Sequence, residues 1–229
     1  MRIQQYLARA GVASRRKAEL LVKEGRVRIN GVPATLGDVL QPGDRVELDG
    51  RELDLPLLRT LALYKPRGFV TTRADPHAAH TVMELVPSIP GLHPVGRLDR
   101  DSEGLLLLTN DGELTERLTH PRYGVLKTYE VWTGRELPAW ACRELERGIP
   151  LAEGLARARS AQPTPYGVRL VLGEGKKREI RRMLARLGFP VHRLLRVQIG
   201  PLRLEPLQPG EWRELLPQEV EALKTATMG

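Results

Sequence analysis

The sequence predicts an α+β protein of two units, a small helix–helix–strand–strand module followed by a larger domain in which strands and short helices alternate. Three observations lead there. Early in the chain the apolar spacing changes from helical, at Ile3 and Leu7 and again at Ala18, Leu21 and Val22, to every second residue at Val27 and Ile29. Residues 50–60, GRELDLPLLRT, lose both periodicities and mix charges with a proline, as a linker does. From Leu61 onward strand-like and helical runs take turns to the end of the 229-residue chain. We therefore expect residues 1–54 to form the first unit, 55–60 the linker and 61–229 the second unit.

In the first unit, Ile3 and Leu7 share a helical face before Gly11, and Ser14 stands as the N-cap of RRKAELLVKEG, which Gly25 ends. Val27 and Ile29 alternate with Arg26, Arg28 and Asn30 in a strand, Gly31 turns the chain, and Pro42-Gly43-Asp44 precedes a strand over 45–48. Arg15, Arg16, Lys17, Lys23, Arg26 and Arg28 crowd together with only Glu19 and Glu24 between them. Taken alone, this basic face is equally a solvated helix surface with an i,i+4 pair from Glu19 to Lys23.

The second unit reads as strand runs LALYK, LLLLT, KTYEVWTG, LARARSAQ, GVRLVLG and VHRLLRVQIG, with helical runs near 81–86, 113–119, 138–147 and 176–187. Alternation in 127–133 and 168–172 predicts antiparallel strands covered on one face, whereas the continuous Leu105–Leu108 run predicts a strand buried on both. Asn110-Asp111-Gly112 is a turn into a helix with Leu114 and Leu118 inward, and the last dozen residues form a polar helix.

Composition narrows the function. Lys and Arg total 36 against 28 acids, for a net charge of +8, and the pI near 10.0 favours a polyanionic partner. Cys142 is the only cysteine, so neither an intramolecular disulfide nor a zinc cluster is available, and a reducing cytoplasmic setting is expected. No apolar run approaches the ~18 residues of a membrane span. The N-terminal MRIQQYLARAG lacks the apolar segment of a signal peptide. The five histidines show no metal-ligand spacing, and Gly173-Glu174-Gly175-Lys176 lacks the pattern of a phosphate loop. No metal and no nucleotide cofactor is implied.

The richest stretch is 93–121, HPVGRLDRDSEGLLLLTNDGELTERLTHP, which sets a polar loop carrying Asp99 against the apolar strand. A carboxylate on such a loop is rigidly placed, as a catalytic group requires, but a loop aspartate is also an ordinary turn cap. Asp99 and Glu103 can further be read as the paired acids of a glycosidase. On a helix over 176–187, Ile180, Met183, Leu184 and Leu187 share one face. At ~100° per residue Arg181 falls at the boundary of that face, where a guanidinium lies along the core and reaches a cleft, or simply snorkels to solvent. Tyr129, in an alternating strand, is by itself an unremarkable half-buried aromatic.

Two resemblances add to these readings. YLARAGVASRRKAELLVKEGRVRINGVPATLGDVLQPGDRVEL resembles the S4 RNA-binding domain, which implies phosphate contacts from Arg15, Arg16, Lys17 and Arg28. GRLDRDSEGLLLLTNDGEL resembles the signature of pseudouridine synthases of the RsuA and RluB type. LYKPRGFV, HPRYGVLKTYEV and EGKKREIRRMLARLGFPVHRLLRVQIGPLRL resemble the other motifs of that family, in order, across 61–204. The resemblance implies a mixed, mainly antiparallel sheet with a central cleft and Asp99 as the essential carboxylate. It implies Arg181 as the counter-charge that keeps Asp99 ionised and Tyr129 as a platform stacking on the target base. It also places Arg97 to fill the vacancy left by a flipped nucleotide or to grip a phosphate. Lys65, Arg67, Lys176, Lys177, Arg178, Arg182, Arg193 and Arg196 are candidates to line the groove, with Glu179 standing where some relatives carry Gln. The expected function is isomerisation of a uridine in ribosomal RNA, more in the large (23S) than the small (16S) subunit, by a monomer with no cofactor. The other reading is a noncatalytic RNA-binding or ribosome-assembly factor on the same fold.

Overall fold

The computed structural model describes residues 1–226; the tail of the expected C-terminal helix, 227–229, lies outside the described residues. Helices α1 (Ile3–Arg9) and α2 (Arg15–Lys23) open the chain. Ser14 caps α2 as expected, its Oγ accepting from the Lys17 N–H at 3.4 Å. Four short antiparallel strands follow, β1 (Val27–Ile29), β2 (Val32–Pro33), β3 (Val46–Leu48) and β4 (Arg51–Glu52), in the order β2-β1-β3-β4. Asn30 and Gly31 turn the first hairpin with φ of 52° and 80°, the two left-handed residues that a tight two-residue turn requires. Ile3, Leu7, Ala18, Val22, Val27 and Val46 bury together as this unit's own core.

The second unit contains β5 (Thr60–Lys65), β6 (His93–Val95), β7 (Glu103–Thr109), α3 (Gly112–Thr119), β8 (Lys127–Trp132), α4 (Ala139–Arg147), β9 (Ile149–Leu151) and β10 (Gly154–Ala156). It continues with β11 (Ser160–Thr164), β12 (Gly167–Leu172), α5 (Glu179–Arg186), β13 (Arg193–Ile199), β14 (Leu202–Arg203), β15 (Trp212–Glu214) and α6 (Pro217–Thr225). The main sheet runs β11-β12-β8-β13-β7-β5-β15, with β14 added on β13 and β6 on β7. Its pairings are antiparallel except for β13 against β7, so the sheet is mixed and mainly antiparallel. The run LARARSAQ, expected as one strand, is two. At Arg157 and Ala158 the chain leaves the ladder to bond α4, Ala158 N–H to Leu145 O and Arg157 Nε to Arg147 O.

Leu105–Leu108 in β7 is fully buried on both faces. Leu106 and Leu108 face one core with Leu61, Leu63, Tyr129 and Val131. Leu105 and Leu107 face the other with Ala62, Tyr64, Leu114, Leu118 and Leu223, under α3 and α6. Asp111 caps α3 by accepting from the Glu113 and Leu114 N–H groups, and the preceding Asn110 pins the linker by donating to Leu57 O (2.9 Å) and accepting from Arg59 N–H (2.8 Å).

The parallel contact depends on a glycine. Gly104 has φ of 109°, and a Cβ there would stand 2.3 Å from Arg196 O and 2.7 Å from Arg196 N. Backbone meets backbone where Arg196 pairs with both Gly104 and Tyr129, just before a bulge in β13. Gly104→Ala is therefore expected to destabilise by about 3 kcal/mol or more, combining a forbidden φ with a backbone clash. Gly112→Ala, with nothing within 4 Å, is expected to be nearly neutral. Thermal melts of the two variants check the contrast.

Candidate active site

Asp99 sits in the irregular loop between β6 and β7, and that loop is held through its carbonyls. Arg97 O accepts from Arg196 Nη1 (3.4 Å), Leu98 O from Thr71 Oγ1 (2.7 Å), and Arg100 O from the Gly68 N–H (2.8 Å). Asp101 O accepts from Arg181 Nη2 (3.1 Å). Lys65 Nζ takes Asp99 O (3.1 Å), Ser102 O (2.7 Å) and its neighbour Pro66 O (3.0 Å). Each carbonyl from 97 to 102 is thus bonded, which fixes a segment that has no ladder of its own.

The Asp99 side chain, 32% exposed, borders two adjoining cavities. One, of about 360 Å³, is also lined by Tyr129, Leu172, Ile180 and Leu194, with Arg178 and Lys177 at its rim. The other, of about 570 Å³, is bounded by Arg67, Gly68, Thr71 and Arg100. Tyr129 reaches the first cavity because it shares the β8 face of Val131, which packs in the same core. Its hydroxyl makes no hydrogen bond among the described residues.

The charges around Asp99 are arranged differently from expectation. Arg181 does not touch it. Its Nη1 donates to Val191 O (3.1 Å) and its Nη2 to Asp101 O, while its Nε lies 3.3 Å from the Asp101 carboxylate without being aligned to bond it. Backbone carbonyls on both sides tie the guanidinium down, so it acts on Asp99 through its field alone. Among the described residues the cation nearest the Asp99 carboxylate is Arg178, at 4.0 Å. Arg178 forks onto Asp101 with Nη1 at 2.9 Å and Nη2 at 3.0 Å. Burial pushes the Asp101 carboxyl up, but the Arg178 fork and the Arg181 charge outweigh it and hold the group below the usual carboxylate range.

Lys65 also departs from expectation. It is fully buried, and its ammonium is committed to three carbonyls, so it holds the Asp99 loop and has no surface to offer a groove. Burial lowers it to about 8, against the opposing pull of Asp101, Asp99 and Glu103. Lys176 borders the cavity but spends its ammonium on Leu155 O (2.6 Å) and Glu174 (3.2 Å). Arg97 is exposed at the mouth of both cavities. Arg15, Arg16, Lys17 and Arg28 are exposed on the first unit and line neither cavity. Glu103 is no partner for Asp99: it lines neither cavity, and Arg193 and Tyr64 hold its carboxylate.

Sequence reasoning missed two residues. Asp101, which gathers both guanidiniums, lies in a loop whose periodicity says nothing about facing partners. Glu179, noted only as a departure, is 4% exposed on the cavity wall. Its Oε2 accepts from the Lys176 N–H (3.0 Å), its Oε1 has no hydrogen-bond partner among the described residues, and burial followed by the Glu174 charge pushes it up to about 7. A carboxyl raised in the fold binds its proton more tightly there than in the unfolded chain. Its stabilising contribution is thus present at low pH and is lost as pH rises through about 7. Glu179→Gln, which fixes the neutral shape, is expected to leave Tm at pH 4, below the ordinary carboxyl value of 4.5, nearly unchanged and to raise it by several degrees at pH 8, read by calorimetry.

A carboxylate whose oxygens accept no hydrogen bond among the described residues, beside an aromatic ring in a concave pocket with a cationic rim, suits a nucleobase turned out of an RNA strand. Known proteins share this chain's plan. Residues 59–186, which contain Asp99, Tyr129 and Arg181, match the family model described as RNA pseudouridylate synthase, and residues 1–46 match the S4 domain. Ribosomal large subunit pseudouridine synthase B of Bacillus subtilis is 40% identical, over 97% of this chain and 95% of that protein. An RNA pseudouridine synthase of Aquifex aeolicus is also 40% identical, over 97% and 93%. A solved structure described as a pseudouridylate synthase superposes with a TM-score of 0.69 at 29% identity, over 97% of this chain and 99% of that one. With the family model covering more than half of the chain and these relatives matching it almost end to end, the chain belongs to the RNA pseudouridylate synthase family and carries an S4 domain at its N-terminus.

Proposed function

We propose that this enzyme converts a uridine of large-subunit ribosomal RNA to pseudouridine, with Asp99 as the catalytic carboxylate. The observation that carries the reading is that Asp99 and the Tyr129 ring face one cavity while the Asp99 carboxylate oxygens carry no hydrogen bond among the described residues. The relatives in Bacillus subtilis and Vibrio vulnificus named ribosomal large subunit pseudouridine synthase B support the choice of substrate.

The reaction breaks the bond between ribose C1′ and uracil N1, turns the base while it stays bound, and rejoins it through C5. The C5 proton is lost and N1 regains one, so there is no net redox change and no group leaves. Such a reaction calls for no nucleotide or metal cofactor. Asp99 supplies an electron pair, either by adding to the sugar or base or by taking a sugar proton. Tyr129 stacks on the base, and an aromatic platform worth ~1 to 3 kcal/mol keeps uracil in place once its glycosidic bond is broken. Flipping the nucleotide costs a few kcal/mol, and Arg97 at the cavity mouth grips the flanking backbone or fills the vacated stack. Arg181 steadies the loop and lends Asp99 its field. The exposed Arg15, Arg16, Lys17 and Arg28 of the S4 domain anchor the RNA by its phosphates. The enzyme acts in the cytoplasm as a monomer; among the described residues no helix is long and apolar enough to cross a membrane.

Asp99→Asn is expected to abolish turnover, with activity falling by about 10⁴-fold or more while RNA binding is retained. Release of tritium from RNA labelled at uracil C5 measures it, and carbodiimide mapping of rRNA from a deletion strain locates the nucleotide. Full activity of the Asn variant would remove Asp99 from the chemistry, whereas a wild-type protein that releases no tritium, with the rRNA map of the deletion strain unchanged, would establish the noncatalytic RNA-binding reading instead. Replacing Arg15, Arg16 and Lys17 together by Ala is expected to flatten the log–log salt dependence of RNA binding by about 2 to 3 units, at roughly 0.7 to 0.9 per phosphate contact. Filter binding across a salt titration checks the slope.

A further inference from the structure

Two carboxylates, Asp99 and Asp101, meet two guanidiniums, Arg178 and Arg181, at the cavity mouth, and both cations are held at Asp101. Among the described residues neither oxygen of the Asp99 carboxylate accepts a hydrogen bond, and the cation closest to that carboxylate stands 4.0 Å away. Asp101 holds Arg178 Nη1 and Nη2 at 2.9 and 3.0 Å and stands 3.3 Å from Arg181 Nε.

The two arginines differ in what else restrains them. Arg181 also donates to Val191 O, Asp101 O and Ser102 Oγ, so its place does not depend on the Asp101 carboxylate. The Arg178 guanidinium has no hydrogen bond outside Asp101 among the described residues, and its side chain is 44% exposed. Its backbone lies in the left-handed region at φ 51°, an unfavourable conformation for arginine. Removing the Asp101 carboxylate therefore releases Arg178 alone, with Asp99 as the next acid in reach.

We infer that Asp101 is a positioning residue for the reaction at Asp99: it parks Arg178 beside the cavity, leaving the Asp99 oxygens open to ribose and base while the guanidinium awaits an RNA phosphate. A bidentate arginine fork occupies both oxygens of a carboxylate, and an Asp99 so engaged has fewer electron pairs to offer the substrate. A phosphodiester presents the same fork geometry as a carboxylate, so it competes directly with Asp101 for Arg178. Arg178 and Asp99 border both cavities, so the released guanidinium can follow RNA backbone on either side without settling on Asp99.

The inference rests on Asp99 being the catalytic carboxylate, so steady-state kinetics with the full-length enzyme and an rRNA transcript carrying tritium at uracil C5 include Asp99→Asn. If that variant turns over like the wild type, the reading of the site fails, and this inference with it. If it is inactive, Asp101→Asn is expected to lower kcat by about tenfold or more with KM changed by less than about threefold. The double variant Asp101→Asn/Arg178→Ala is expected to recover most of the lost kcat while KM rises, because the cation that had fallen onto Asp99 is gone. An Asp101→Asn enzyme with wild-type kcat would overturn the inference. So would a double variant as slow as the single one, since damage to the loop or to folding is not repaired by deleting a second side chain.

Discussion

The structure around the site depends on one constraint: the loop that carries Asp99 has no regular hydrogen-bond ladder, yet each carbonyl from 97 to 102 must be bonded where it lies. Donors converge on it from four parts of the chain. The Lys65 ammonium comes from the end of β5, Thr71 and Gly68 from the segment that follows, Arg181 from α5 and Arg196 from β13. Burying a lysine is costly, which its lowered pKa of about 8 records, and the cost is offset because one ammonium meets three carbonyls at once. The loop is consequently as fixed as a strand while its side chains remain free to face the cavities.

The sheet delivers those donors. A single parallel contact, β13 on β7, interrupts an otherwise antiparallel order and brings Arg196 against Gly104 and Tyr129 at once. That closeness is possible only because residue 104 has no side chain. On one face of β7 the leucines bury against the core that supports Tyr129, and on the other they bury under α3 and α6. The reactive loop is therefore anchored to a strand that cannot shift without disturbing both cores.

Much of this was legible in the sequence. The Leu105–Leu108 run announced a strand buried on both faces, Ser14 and Asp111 announced helix starts, and Gly31 a turn. Such features are local, each encoded within a few residues. Two-residue strands such as β2 and β4 were invisible because they are too short to show alternation. Side-chain partnerships across the fold were harder still. Periodicity put Arg181 at the edge of a helix face but could not say that carbonyls of Val191 and Asp101 would claim it before Asp99 did. Lys65 reads as a basic residue beside a proline, and only the convergence of three carbonyls explains its burial. Resemblance to a family supplied Asp99, Tyr129 and Arg181 as candidates; it did not supply Asp101, whose partner lies 77 residues away.

The ends of the main sheet have a consequence for the enzyme's life in a crowded cell. An open sheet exposes unpaired backbone groups along its outer strands, an invitation to edge-to-edge aggregation. Here one outer strand, β11, carries Pro163, which has no N–H to offer, and the other, β15, is only three residues long. Neither border presents a continuous template on which a stray strand could register. A protein that acts on ribosomal RNA is thereby spared a common route to sticking to its own kind.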